Sequence, residues 1–147
     1  MPVPAIDRQV ERRLADHGVR YTRGRRAVVD ALAKVDGPKS AAELHETMEP
    51  QWPLSSLYRS LAVLEDAEVL SPHFSTKGVT RYELAEWLAG HHHHLRCTSC
   101  GDVTDVQSTD RLEAELLKIV AQISASVSFT PANHELEIEG RCSACAA

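Results

Sequence analysis

The chain is predicted to be an α+β protein in two parts: a helical N-terminal domain closed by a β-hairpin, and a small C-terminal α/β domain held together at two cysteine pairs. Three observations carry that reading. Apolar residues recur at helical spacing through roughly the first 65 positions. Extended alternation then replaces helical spacing around residues 69–84, and again after residue 90. Finally, Cys97-Thr-Ser-Cys100 and Cys142-Ser-Ala-Cys145 hold all four cysteines, and His91-His92-His93-His94, half of the eight histidines, lies just before the first pair.

Val10 and Leu14, at i and i+4, predict a first short helix. Thr22 is placed to cap a second, in which Ala27, Val28, Ala31, Leu32 and Val35 form an apolar stripe that Asp36-Gly37-Pro38 ends. Ser40-Ala-Ala-Glu43 has the form of a capping box opening a third helix, with Leu44 and Met48 inward. Pro50 and Pro53 bracket a turn. Leu57, Leu61 and Leu64 then form the seam of a fourth helix, whose other face carries Ser55, Ser56, Tyr58 and Arg59. A packed seam opposite hydroxyls, an aromatic and an arginine is the make-up of a DNA-recognition helix.

Val69-Leu70 and Val79–Leu84 read as strands joined by the turn Ser75-Thr-Lys-Gly78. Helices followed by such a hairpin predict a winged helix-turn-helix over residues 1–84, with 85–90 as a hinge and 91–147 as the second domain. In that domain His92–Arg96 and Val103–Val106 are expected strands. A helix spans about Thr109–Ser124 with Leu112, Leu116, Ile119, Val120 and Ile123 on one face, and His134–Glu139 alternates as a last strand. A sheet with one helix is too thin to bury itself, so a metal staple and a homodimer are expected.

Four cysteines in two C-x2-C pairs supply the ligand count and softness of a closed tetrahedral zinc site, so Cys97, Cys100, Cys142 and Cys145 are assigned to structural Zn(II). No N-terminal segment reads as a signal peptide and no apolar run is long enough for a membrane span. A reducing cytoplasm is therefore expected, where paired disulfides would be rare.

The formal net charge is -5, yet residues 8–26 carry seven arginines against Glu11 and Asp16, whereas residues 71–147 carry six basic and ten acidic side chains. A basic arm, including Arg23, Arg25 and Arg26, on an acidic body suggests that the N-terminal end meets phosphate. Nothing in the chain has the H-E-x-x-H pattern of a zinc hydrolase, a nucleophile with a neighbouring base, or a phosphate-cradling loop, so an enzyme is not expected.

Tyr21-Thr-Arg-Gly-Arg25, Ser40-Ala-Ala-Glu-Leu44, Leu57-Tyr58-Arg59, His91–His94 and Cys97-Thr-Ser-Cys-Gly-Asp-Val-Thr-Asp105, in this order, resemble the ferric uptake regulator family of bacterial metal-dependent repressors. The resemblance covers nearly the whole chain. It implies a dimer that binds an AT-rich palindromic operator in double-stranded DNA when loaded with metal. Tyr58 would meet a thymine methyl edge, Arg59 backbone or base, and Arg25 with its neighbours phosphate or the minor groove.

Alternate side chains of a strand point to opposite faces, which sorts His92 and His94 from His91 and His93. The resemblance assigns His92, His94 and Asp105 to a regulatory site, completed by Glu83, Glu86 or His73, and His91, His93, Glu113 and His134 to an accessory site. Pro38-Lys39 stands where iron-type members often have a histidine, and Glu83 where zinc-sensing members often have cysteine. Imidazoles and carboxylates without thiolate accept several divalent ions, and Zn(II) or Fe(II) is the expected corepressor. A peroxide-sensing member of the family, or a zinc-buffering or metal-delivery protein without an operator, are the alternative readings.

Overall fold

The computed structural model describes residues 3–48, 52–75 and 77–147. The chain forms two compact units, Met1–His91 and His92–Ala147.

In the first unit, α1 (Val3–Asp16) buries Val10 and Leu14 completely. α2 (Arg23–Ala33) starts at Thr22, whose hydroxyl accepts from the Arg25 amide at 3.4 Å, satisfying one of the donors a helix start leaves open. Its buried residues are Val28, Val29 and Leu32. Val29 lies outside the stripe expected from sequence and is buried because α1, α3 and α4 all pack against α2. α3 (Ala41–Thr47) carries the expected capping box: Ser40 Oγ accepts from the Glu43 amide at 3.2 Å, and the Glu43 carboxylate accepts from the Ser40 amide at 2.7 Å. α4 (Leu54–Asp66) turns Leu57, Leu61 and Leu64 into the core. Pro50 and Thr76, expected in the turn before α4 and in the hairpin turn, lie outside the described residues.

Each fully buried Leu or Val contributes about 1.5–3 kcal/mol, whereas a cap contributes about 1 kcal/mol. The shared core of Val10, Leu14, Val28, Leu44, Leu61 and Leu64 therefore decides how the helices associate, and the caps decide where they begin.

β2 (Leu70–Phe74) and β3 (Thr80–Leu84) form the antiparallel wing, and β1 (Lys39–Ser40) pairs with the other side of β3, giving the order β1-β3-β2. Two residues are too few to show alternation in sequence. β1 is set instead by its tertiary neighbours, with Arg81 of β3 bridging to Glu43 at 2.7 Å. A short helix, α5 (Glu86–Ala89), occupies the segment expected as a hinge, and its Leu88 is buried in the first unit's core.

In the second unit, β4 (His93–Cys97) pairs antiparallel with β5 (Val103–Val106) and parallel with β6 (Glu137–Gly140), in the order β5-β4-β6. Between β5 and β6 runs α6 (Asp110–Ser126), capped by the Thr109 hydroxyl on the Leu112 amide at 3.2 Å. A last turn of helix, α7 (Ser143–Ala146), follows β6. β6 starts three residues later than the alternation from His134 suggested, because the His134 ring is drawn to a carboxylate on α6 instead of continuing the ladder.

Among the described residues of this unit only His93, Cys97, Val103 and Ser124 are buried. Leu112, Ile119, Ile123 and Phe129 are exposed, as are Leu95 and Ile138, which stand opposite each other on β4 and β6. The expectation that this sheet and helix cannot cover their own apolar faces is met. No helix among the described residues is long and apolar enough to cross a membrane.

Candidate metal centre

The parallel β4–β6 register places Cys97 beside Gly140, which carries the second cysteine pair to the first. The Thr98 amide and hydroxyl both donate to the Gly140 carbonyl, at 2.8 and 3.0 Å, and lock the two turns together. Gly101, at φ +80°, lets the first turn close in a conformation that a side chain would resist. All four sulfurs lie within 4.8 Å of one another, and none is in a disulfide. Sulfurs about 2.3 Å from a tetrahedral ion stand about 3.8 Å apart, and Cys100 Sγ and Cys142 Sγ are 3.9 Å apart. The donor set and its spacing fit zinc.

The charges point the same way. The Cys100 amide, followed by those of Cys142 and Ser99, donates toward the Cys97 sulfur and draws its pKa down to about 5. Hydrogen bonding with the sulfurs of Cys142, Cys97 and Cys100 pushes Cys145 up to about 12. Four thiols this close resist accumulating negative charge, and a divalent ion would remove that resistance.

The histidine run feeds two further clusters in the second unit. His94 lies directly across the β4–β5 ladder from Asp105, Nε2 to Oδ1 3.4 Å, and His92 Nε2 approaches Asp105 Oδ2 at 3.7 Å. The two rings meet edge to face, with centroids 4.9 Å apart. On the other face Glu113, in the first turn of α6, takes His93 Nε2 on one carboxylate oxygen at 2.9 Å and His134 Nε2 on the other at 2.7 Å. The Ser108 hydroxyl donates to Glu113 at 2.6 Å and orients it. Ser108 was not expected; its role depends on where the loop before α6 runs, and no spacing in the sequence signals it.

The remaining candidate ligands lie in the first unit. Glu83, buried on β3, accepts from His73 on β2 at 2.7 Å, so these two come together as a pair. Glu86 is bonded to His91 at 2.5 Å.

On α4, Tyr58 is 53% exposed, and Arg59 donates to the Ser56 hydroxyl at 3.3 Å from an exposed position beside Ser55. The arginines of α2 differ among themselves. Arg25 donates to the Arg20 carbonyl. Arg26 bridges to Asp7 at 3.1 Å and stacks over Tyr21 at 4.1 Å, joining α1 to α2. Tyr21, desolvated by burial and donating to Asp7 at 2.7 Å, is held well above its usual pKa. Arg23 lines a cavity of about 300 Å³ with Asp30, Lys34, Met48 and Trp52.

A sequence profile of the Ferric uptake regulator family matches residues 16–139. The ferric uptake regulation protein of Bacillus subtilis (strain 168) is 32% identical over 146 residues, covering 95% of this chain and 93% of that protein. The ferric uptake regulator of Vibrio cholerae superposes with a TM-score of 0.69 at 28% identity, over 90% of this chain and 98% of that one. The Helicobacter pylori regulator superposes with a TM-score of 0.77 over 100% and 95%, and its 22% identity bears on the fold alone. With a profile match over most of its length and a relative at this identity spanning both units, the chain belongs to the Ferric uptake regulator family.

Proposed function

We propose that the protein is a metal-dependent, DNA-binding transcriptional repressor of metal-homeostasis genes, with Zn(II) or Fe(II) as corepressor. One observation carries this reading: histidines of one strand, β4, meet a carboxylate on each face, Asp105 of β5 on one and Glu113 of α6 on the other, apart from the four-cysteine cluster. The cysteines serve as the structural zinc site, and N/O ligands serve exchangeable ions.

His92, His94 and Asp105 would hold the regulatory ion together with the Glu83–His73 pair of the wing. Five N/O ligands suit iron, and four suit tetrahedral zinc. Glu86, engaged by His91, goes with the accessory set of His91, His93, Glu113 and His134. A divalent ion supplies only charge and coordination here. Because it can bias the units only by binding one arrangement more tightly, a differential of a few kcal/mol is sufficient to switch operator affinity. The Vibrio cholerae relative, whose structure reveals rearrangement of its DNA-binding domains, supports such a switch.

Tyr58, Arg59, Ser55 and Ser56 are the proposed operator contacts, with Arg23 and Arg25 on phosphate. Arg26 would act mainly by holding α1 on α2. The uncovered apolar surface of the second unit supports a homodimer, which pairs two recognition helices with a palindrome.

The test is an anaerobic anisotropy titration of an AT-rich palindrome with chelator-treated protein, adding Zn(II), Fe(II), Mn(II) and Ni(II) in turn. Tight binding restored by one ion at lower concentration than the others supports the reading and names the corepressor. Metal uptake by a folded dimer without operator binding would replace it with metal buffering.

A further inference from the structure

The segment after the wing is tied down more firmly than a hinge would be. Trp87 of α5 donates its indole N–H to the Glu68 carbonyl at 2.7 Å. The Arg13 guanidinium of α1 stacks over the same ring at 4.4 Å and bridges to the Glu68 carboxylate at 3.1 Å. Glu68, just past the end of α4, sits at φ +58°, a left-handed conformation that a glutamate adopts only at a cost. Its carbonyl and its side chain are both used in this triangle. One residue on, the Val69 carbonyl accepts from the Ala85 amide at 2.9 Å, and Leu88 is buried in the helical core. α5 is thus joined to α1, to the exit of the recognition helix and to the start of the wing. Gly90, at φ +85° and donating its amide to the Glu86 carbonyl at 2.7 Å, closes α5 next to His91.

We infer that Trp87 and Arg13 are positioning residues for the metal response. They hold α5 so that ion binding at the His91–His94 run, gripped from this side by the Glu86–His91 contact, acts on the DNA-binding helices instead of being absorbed in residues 85–89. The inference rests on the metal-dependent reading above.

A residue that transmits a signal changes the coupling between two ligands, whereas one that merely stabilises the fold does not have to. The quantity to measure is therefore the ratio of operator affinities with and without Zn(II), for the full-length wild type, W87L, W87F and R13A. Taking a ratio removes any phosphate contact that Arg13 makes in both states. Zinc stoichiometry, zinc affinity at the N/O sites and circular dichroism are recorded alongside.

The expected result is a ratio about tenfold smaller in W87L and R13A. W87F, which keeps the ring under Arg13 but loses the indole N–H, falls between these and wild type. Zinc uptake and metal-free operator affinity of W87L stay as in wild type. If W87L does not fold, W87F and R13A carry the test. Wild-type ratios in the variants overturn the inference and leave the repressor reading intact; a wild-type protein whose operator affinity ignores metal overturns both.

Discussion

His94 and Asp105 face each other as direct partners in the β4–β5 ladder, Nε2 3.4 Å from Oδ1. The pairing sets the distance between these two proposed ligands by backbone register. His92 reaches the same carboxylate from the residue just before β4.

His94→Ala and Asp105→Ala should therefore remove the exchangeable ion while leaving the four-cysteine zinc and the fold in place. Metal affinity at this site should fall by at least about a hundredfold. Competition with a chromophoric chelator reads that loss, and a variant that kept wild-type affinity would show that these residues do not ligate the ion.

Ser108→Ala should act at one remove. It leaves every proposed ligand in place but removes the one hydroxyl bond to the Glu113 carboxylate described above, so ion affinity at the His93–Glu113–His134 cluster should drop about tenfold to a hundredfold. Calorimetric titration of the variant, with the four-cysteine site already filled, checks this.

The cysteine site predicts a pH effect of definite sign. Cys97, with its pKa drawn down to about 5, is already a thiolate at neutral pH and releases no proton when zinc binds. Cys145, pushed up to about 12, must release one. An indicator-dye titration at pH 7 should count fewer than four protons per zinc. In the metal-free protein, Cys97 contributes stability that is present above its unfolded value and lost as pH falls toward 5. Cys145 contributes stability that is present below its unfolded value and lost as pH rises toward 12. Between pH 5 and 8 the second unit, freed of metal, should therefore melt at higher temperature as pH rises.

Arg59→Ala should weaken operator binding and reduce the slope of log affinity against log salt by about one if Arg59 meets a phosphate, with zinc content unchanged. A slope that stays put while one base position loses discrimination would assign Arg59 to a base edge instead.

Leu61→Ala, in the fully packed seam of α4, should destabilise the first unit by about 2–5 kcal/mol in urea unfolding. Zinc binding by the four cysteines should be unaffected, because no residue of that site lies in this core.

The local elements were legible in the sequence because their causes are local. Thr22 and the Ser40–Glu43 box stand three residues from the amides they cap, Leu57, Leu61 and Leu64 repeat at helical spacing, and each cysteine pair is a single turn. The periodicity also showed that the second unit would leave an apolar face uncovered, since composition alone limits what one helix and three strands can bury.

What the tertiary structure decided was which distant side chains meet. Arg13 finds Glu68 across 55 positions, Arg81 finds Glu43 across 38, and Cys142 finds Cys97 across 45. The pairing of the two-residue β1 with β3 belongs to the same class, whereas the Glu83–His73, Glu86–His91 and Ser108–Glu113 contacts span ten, five and five positions and depend on how the chain turns between them. The sequence by itself thus determined the longer helices, the wing and the strands of the second unit, though not β1, α5 or α7, together with the soft and hard ligand types, because these depend on neighbours within a few residues. The tertiary structure alone decided the grouping of ligands and the anchoring of α5 by Trp87, because hydrogen bonds and ion pairs act over about 3 Å, and only packing brings such residues that close.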